Sequence, residues 1–280
     1  MKDQKKEKPP AFIAAEAYHL YATEYDVYKV SIKRLIDLYV SYETKTPKTV
    51  LDLACGTGVS LQEVEARFPT SRIIATDSSQ EMLEIAQSEH DRTQFLLAES
   101  ENLAAEGLSG INVAFCNAAF WYFDSDAVLE SLYKILAPSG YFLFNISEPA
   151  ITFNDGGYDD RFLQTMVEVL DDRGLVFHRE GGHNAGRLKL SHEPPTAQSI
   201  EGSLVRHSFK PTISRTWKFT KSVDELKDFY SIPGFGTKMY RELTDLKQKQ
   251  EILDEIVRRL REQGVEEINF RWQEFVAQRA

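Results

Sequence analysis

Val50-Leu51-Asp52-Leu53-Ala54-Cys55-Gly56-Thr57-Gly58-Val59-Ser60 is the stretch on which the reading of this chain turns. Thr49 to Leu53 is a short β-rich run ending at a glycine-containing turn, and helical spacing follows through Val64 and Phe68. A strand that feeds Gly56-x-Gly58 and then a helix lets backbone N–H groups approach a ligand closely. The dinucleotide fingerprint G-x-G-x-x-G fails in either frame. From Ala54 its first and last positions are Ala54 and Val59, and from Gly56 its third glycine falls on Leu61. That glycine permits close helix–strand packing beside a pyrophosphate, so a nicotinamide cofactor is disfavoured. Asp52 lies inside the strand end, awkward beside a pyrophosphate and useful near a cation or an ammonium group. Asp77 closes Ile74-Ala75-Thr76-Asp77 about one βα unit later, where a carboxylate can accept hydrogen bonds from both ribose hydroxyls. The plain alternative for Asp77 is a helix N-cap, although Ser78 or Ser79 can serve as that cap instead.

Working outward, four further β-rich runs follow at regular intervals: Arg72 to Thr76, Gln94 to Ala98, Ile111 to Cys116 and Gly140 to Ile146. Helical spacing fills the gaps at Glu81 to Gln87 and at Asp126 to Leu136, the latter stopped by Pro138 and Gly140. Five buried-looking strands alternating with helices predict βαβ units and a parallel, doubly wound sheet. Upstream, residues 1–10 read as a frayed mixed-charge tail, and apolar and aromatic residues from Ala11 to Tyr42 recur at helical steps. Downstream the alternation stops. Residues 147 to about 215 hold paired glycines and prolines, four of the six histidines, and β-like runs at 174–177, 187–190 and 203–209, which predict an antiparallel cap. Residues 222–230 and 243–262 return to helical spacing, and 268–276 close as a strand. The expected division is a helical lid at 1–44, an α/β core at 45–146, an inserted cap on the substrate side at 147–215, and C-terminal helices with the closing strand at 216–280.

Composition narrows the class. The 280 residues carry a formal net charge of −10, which does not suit a partner held by phosphate neutralisation. With 42% hydrophobic and 11% aromatic residues the chain is too apolar to be disordered. No apolar run is long enough to span a bilayer, and the charged start lacks the apolar stretch of a secretory signal. Cys55 and Cys116 cannot form a disulfide framework or a multi-cysteine metal site, and read as small buried residues; no metal is expected. The expectation is a soluble, cytoplasmic protein, with no nucleic-acid or membrane partner and with monomer or homodimer left open.

These residues resemble the class I S-adenosylmethionine-dependent methyltransferases. Val50 to Gly58 looks like that family's first motif, with Ala54 where glycine is usual. Asp77 to Leu83 resembles the second, Phe95 to Leu103 the third with Glu99 in place of the usual Asp, and Leu132 to Tyr141 the approach to the fifth strand. The resemblance covers roughly residues 18–146 and the closing strand. It implies a Rossmann-like, doubly wound, mostly parallel seven-stranded sheet with an inserted mixed α/β cap, and S-adenosylmethionine as cofactor. It further implies that the backbone of Ala54, Cys55, Gly56 and Gly58, beside Asp52, holds the methionine end. Asp77 and Ser78 take the ribose, Met82 covers the adenine, and Glu99, Ser100 and Glu101 face it. Asn117 and Ala118 border the sulfonium, and Tyr18 and Tyr25 belong to an N-terminal helix that closes over the cofactor, unless they are core aromatics.

Transfer from a sulfonium is an in-line displacement, and orientation alone can supply roughly 7 to 11 kcal/mol of its barrier. A dedicated base is therefore optional. The candidates for one are His178, His183, His192 and His207, each of which is otherwise a surface histidine. Phe120, Trp121 and Tyr122, in the aromatic run after the fourth strand, form the expected acceptor wall, suited to a planar or cationic small molecule. The expected function is methyl transfer to N, O or C of a small-molecule acceptor. A protein or RNA methyltransferase is the first alternative, and a cofactor-binding protein without methyl transfer the second.

Overall fold

The computed structural model describes residues 9–148, 150–151, 153, 159–175, 195–233 and 245–280. The tail at 1–8 and the β-like run at 187–190 lie outside the described residues, as do His178, His183 and His192.

Two helices open the chain, α1 (Pro10–Glu24), with proline in its first turn, and α2 (Val27–Tyr42). The alternating core follows: β1 (Thr49–Leu53), α3 (Leu61–Arg67), β2 (Arg72–Asp77), α4 (Gln80–Glu89), β3 (Gln94–Leu97), β4 (Ile111–Cys116), α5 (Ser125–Ile135) and β5 (Leu136–Ser147). Short 3-10 turns at Ser100–Glu106 and Phe120–Tyr122 flank β4. The remainder is α6 (Arg161–Asp172), α7 (Ala197–Arg206), β6 (Phe209–Ser222), α8 (Val223–Ser231), α9 (Leu246–Glu262) and β7 (Glu267–Arg279).

The seven strands form one sheet in the order β3-β2-β1-β4-β5-β7-β6. The first five are parallel, and β7 is antiparallel to both of its neighbours. The order in which strands are added to the sheet reverses between β1 and β4, and at such a switch point a crevice opens beyond the carboxyl ends of the strands. Period-two alternation puts Leu51 and Leu53 with Ala114, Phe142 and Phe144 on one face, under α5. Val50, Ile73, Phe115 and Leu143 face the other way, against Leu35 and Tyr39 of α2. Strands buried on both sides explain why β1 and β4 read as nearly continuous apolar runs. A third apolar cluster joins α6, α8 and α9 through Met166, Leu226 and Ile256.

The region after β5 departs from the sequence expectation. Residues 203–206 are the last turn of α7, which starts at a capping box between Thr196 and Ser199 and buries Ile200, Ser203 and Leu204 along one face. Gly174, predicted to begin a strand, instead ends α6 with φ 68°, and Leu175 N–H donates back to Leu170 O at 2.9 Å. The described part of the expected antiparallel cap is thus helical, and β6 begins at Phe209 as an edge of the core sheet. Among the described residues no helix is long and apolar enough to cross a membrane.

One carboxylate ties the lid helices to the late strands. Glu274 of β7 is fully buried and accepts from Arg34 Nε of α2 at 2.5 Å and from Arg215 Nε of β6 at 2.5 Å. Arg34 also lies over the Trp217 ring at 5.0 Å. The two guanidiniums are partly exposed, so removing the acid leaves them solvated and moderates the cost. Glu274→Gln should lower unfolding free energy by about 2 kcal/mol, read as a fall in Tm of about 4 °C or more in a thermal melt.

Candidate active site

The β1–α3 loop lies at the switch point, and its backbone explains its residues. Ala54, Gly56 and Gly58 all take positive φ, at 55°, 57° and 84°. Ala54 therefore occupies a left-handed conformation that ordinarily favours glycine, at a cost of order 1 kcal/mol. Gly56 has room, since a Cβ there would meet Tyr18 only at 3.7 Å. Gly58 does not. A Cβ would come within 3.0 Å of the His90 ring and 3.1 Å of Ala86 Cβ, so this glycine lets α4 pack on the loop and does not line the cavity.

Two carboxylates face the loop. Asp77 at the end of β2 accepts from Gly56 N at 2.9 Å through Oδ2 and from Ser79 N at 2.9 Å through Oδ1. Burial pushes its carboxyl above the usual carboxylate range while these N–H donors pull it back down. Ser79, not Ser78, caps α4 by accepting from Met82 N, which leaves Ser78 on the cavity wall. Asp52 is 1% exposed. Its Oδ2 has no hydrogen-bond partner, and burial, with Asp77 adding repulsion, pushes it up to about 7. An orphaned carboxylate oxygen in the wall of a ligand cavity is costly unless a cation or donor meets it.

The cavity above these groups has a volume of about 310 Å³, at the lower end for small-molecule sites. The structure brings together Tyr18, Asp52, Ala54, Cys55, Gly56 and Asp77 on its walls, joined by Ser78, Met82, Asn117 and Ala118. Trp121 and Tyr122 complete it on the acceptor side. The other expected residues fall elsewhere. Tyr25 turns to α8, where its hydroxyl donates to Asp228 Oδ2 at 2.6 Å. Phe120 is core, its ring 4.2 Å from that of Phe144. Glu101 accepts from Asp124 N, and neither it, Ser100 nor Glu99 lines the cavity. His207 is held at the end of α7, with Nδ1 2.9 Å from Ser203 O and Nε2 3.7 Å from Asp126, remote from the cavity walls. Cys55 and Cys116 are free and buried, and burial raises both thiols, which makes them poor metal ligands. Among the described residues no group of side chains is arranged to hold a metal ion.

Asn117 has a role that sequence reading missed. Its Oδ1 accepts from Ser31 Oγ at 2.7 Å and from Asn145 Nδ2 at 2.8 Å. Its Nδ2 donates to Tyr28 O and to Ser60 Oγ, both at 3.0 Å. Asn145 Oδ1 in turn accepts from Ala118 N at 2.7 Å, fixing Ala118 at φ 60°. The signal for this network was Asn145 itself, a polar residue alone among Phe142, Leu143, Phe144 and Ile146 in a buried strand.

A second, aromatic chamber adjoins the cavity and shares Tyr28, Ala118, Trp121, Tyr122 and Phe229 with it. It extends between α8 and the antiparallel strands, walled by Phe219, Phe270, Trp272 and Tyr230, with Glu148 and Lys221 as its charged members. Tyr18 and Tyr28, whose rings are 5.9 Å apart, stand at the join. Burial raises both phenols, so they remain neutral at ordinary pH.

Residues 50–140 match the family described as methyltransferase domain. A malonyl-[acyl-carrier protein] O-methyltransferase of Halalkalibacterium halodurans is 31% identical over 168 residues, which cover 57% of this chain and 62% of that protein. A trans-aconitate 2-methyltransferase of Methylobacterium radiotolerans is 31% identical over 118 residues, covering 40% of this chain and 45% of that one. The matches thus span less than two thirds of the length of these curated relatives. Among solved structures, a geranyl diphosphate methyltransferase in complex with GPP and sinefungin has a TM-score of 0.53 at 12% identity, covering 90% of this chain and 78% of that chain. That likeness is one of fold.

Asp52 predicts a pH dependence for any ligand that presents an ammonium group to it. Such a ligand favours the ionised carboxylate, so affinity is full above about 7 and falls by up to about tenfold per unit below it. Calorimetric titration with S-adenosylhomocysteine from pH 5 to 8 reads this directly, and Asp52→Asn should flatten the profile. Gly58→Ala should destabilise by about 2 kcal/mol through its backbone conformation and the contact with α4, measured by denaturant unfolding.

Proposed function

We propose that this chain, whose residues 50–140 match the family described as methyltransferase domain, is a class I S-adenosylmethionine-dependent methyltransferase that transfers the methyl group of that cofactor to N, O or C of a small-molecule acceptor. The observation that carries the reading is a pair of adjoining spaces. One is a loop cradle with two buried carboxylates, one of them orphaned. The other is an aromatic chamber that shares a wall with it.

The cradle suits the cofactor's parts. Asp52 Oδ2 is free to meet the methionine ammonium. Asp77 spends one lone pair of each oxygen on the backbone and keeps others for the ribose hydroxyls. Met82 offers an apolar surface to the adenine. When bound, S-adenosylmethionine supplies an electrophilic methyl whose bond to sulfur breaks as the acceptor's lone pair bonds to carbon, the electron pair staying on sulfur.

The chain's own contribution is placement. Ala118 offers only a methyl group at the join, and the Asn117–Asn145 network holds it there. Tyr28, Trp121 and Tyr122 wall off water around the join. Among the described residues no histidine lines either space, and what these residues supply is orientation and desolvation. An acceptor that reacts as a neutral amine, whose proton leaves to solvent after transfer, or as a carboxylate or ready-formed enolate, which has none to lose, needs no more than this. The confined chamber supports a small acceptor over a protein or RNA strand.

Thermal shift against S-adenosylmethionine, S-adenosylhomocysteine and NAD tests the cofactor. Ligand at about 100 times its Kd adds roughly 2.7 kcal/mol, a shift of several degrees. Both adenosyl compounds should shift the melt and NAD should not. A methyl-labelled cofactor incubated with acceptor pools then reads transfer. Binding without label transfer to any pool favours a cofactor-binding protein.

A further inference from the structure

The acceptor chamber carries its own recognition charge. β6 places Trp217, Phe219 and Lys221 at alternate positions, opposite Trp272, Phe270 and Ile268 of β7 in the sheet register. Such alternation sends all three side chains to one face. Lys221 is 8% exposed and is a wall member of the chamber. Its ammonium donates to Tyr21 Oη at 2.5 Å and pairs with Glu225 Oε1 at 3.0 Å. It also lies 5.2 Å from the centre of the Tyr21 ring and 5.4 Å from that of Phe229. An ammonium has three N–H donors, and among the described residues two are used.

We propose that the chamber takes a planar, apolar acceptor carrying an anionic group, a carboxylate, which Lys221 holds through its remaining N–H while the aromatic rings clasp the body. The inference rests on the methyltransferase reading for the word acceptor and for the neighbouring sulfonium, and otherwise on the chamber's own residues. Three observations favour an anion over a cation. The ring faces of Tyr21 and Phe229 already hold a cation, the protein's own. Both charged wall members are ion-paired, but Glu148 takes both Nε and Nη2 of Arg271 on one oxygen, whereas Lys221, paired with Glu225, keeps an N–H to give. The adjoining cavity is suited to a sulfonium, which repels a second cation and attracts an anion strongly where water is excluded. In a chain of net charge −10, an anionic ligand also needs a local cation to be drawn in.

Benzoate, benzylamine and benzyl alcohol share one ring and differ in charge, so they separate the possibilities. Each is titrated into the full chain saturated with S-adenosylhomocysteine and followed by ligand-observed NMR. Benzoate should bind at least tenfold more tightly than benzyl alcohol, with benzylamine weakest. Lys221→Gln should abolish the benzoate advantage while stabilisation by S-adenosylhomocysteine persists, and Lys221→Arg should retain the order. Benzoate binding no tighter than the alcohol, or not at all at millimolar concentration, overturns the proposal. So does benzylamine binding best, which would transfer the recognition to Glu148. If Lys221→Gln fails to fold, the wild-type order decides by itself. Failure of S-adenosylhomocysteine to stabilise the wild-type chain would count against the methyltransferase reading instead, and the benzoate order can still be read without it.

Discussion

The side-chain amide of Asn117 makes four hydrogen bonds, to Ser31, Asn145, Ser60 and the Tyr28 carbonyl, and these draw three parts of the chain to one point. They join α2, the start of α3 and the end of β5 at the carboxyl end of β4. The switch in strand order opens a crevice there, but apolar side chains from the loops could still pack it shut. A fully satisfied polar network resists that collapse, because losing any one partner would strand a buried donor or acceptor. With the network intact, Ala118 keeps its left-handed conformation and the two spaces meet across a methyl group.

The lid is built into the same geometry. α1 sends Tyr18 to the cradle, while Tyr21 and Tyr25 hold Glu225 and Asp228 of α8. Phe229 of α8 lines both spaces. One helix therefore walls the loop cavity and braces α8 at the aromatic chamber at once, and α2 is anchored independently through the Arg34–Glu274–Arg215 cluster. These paired charges and phenols add to apolar packing, which for α2 runs through Leu35 and Tyr39 on the sheet.

The core was legible because its signals are local and periodic. Runs such as Ile111 to Cys116 and Gly140 to Ile146 are rich in apolar, β-branched and aromatic residues, as suits a strand buried on both faces. Asp52 and Asp77 stood out since a carboxylate at an apolar strand end costs free energy unless it serves a ligand. Residues 203–209 misled because a half-buried helix turn and a short strand share the same apolar spacing over so few residues. His207 drew attention as a titratable group, but titratability says nothing of direction, and its ring is taken up by Ser203 and Asp126.

By itself, then, the amino-acid order determined the alternating sheet, the glycine loop and the two carboxylates, since each depends on contacts between near neighbours in sequence. Tertiary structure alone decided that Tyr25 serves α8 and not the cradle, that Gly58 makes room for His90, and that Asn117 is a structural junction. It alone also brought Lys221 beside Tyr21, some two hundred positions away, at the wall of the aromatic chamber. Contacts across such distances arise only when layers pack, and no local periodicity records which polar side chain will find which partner.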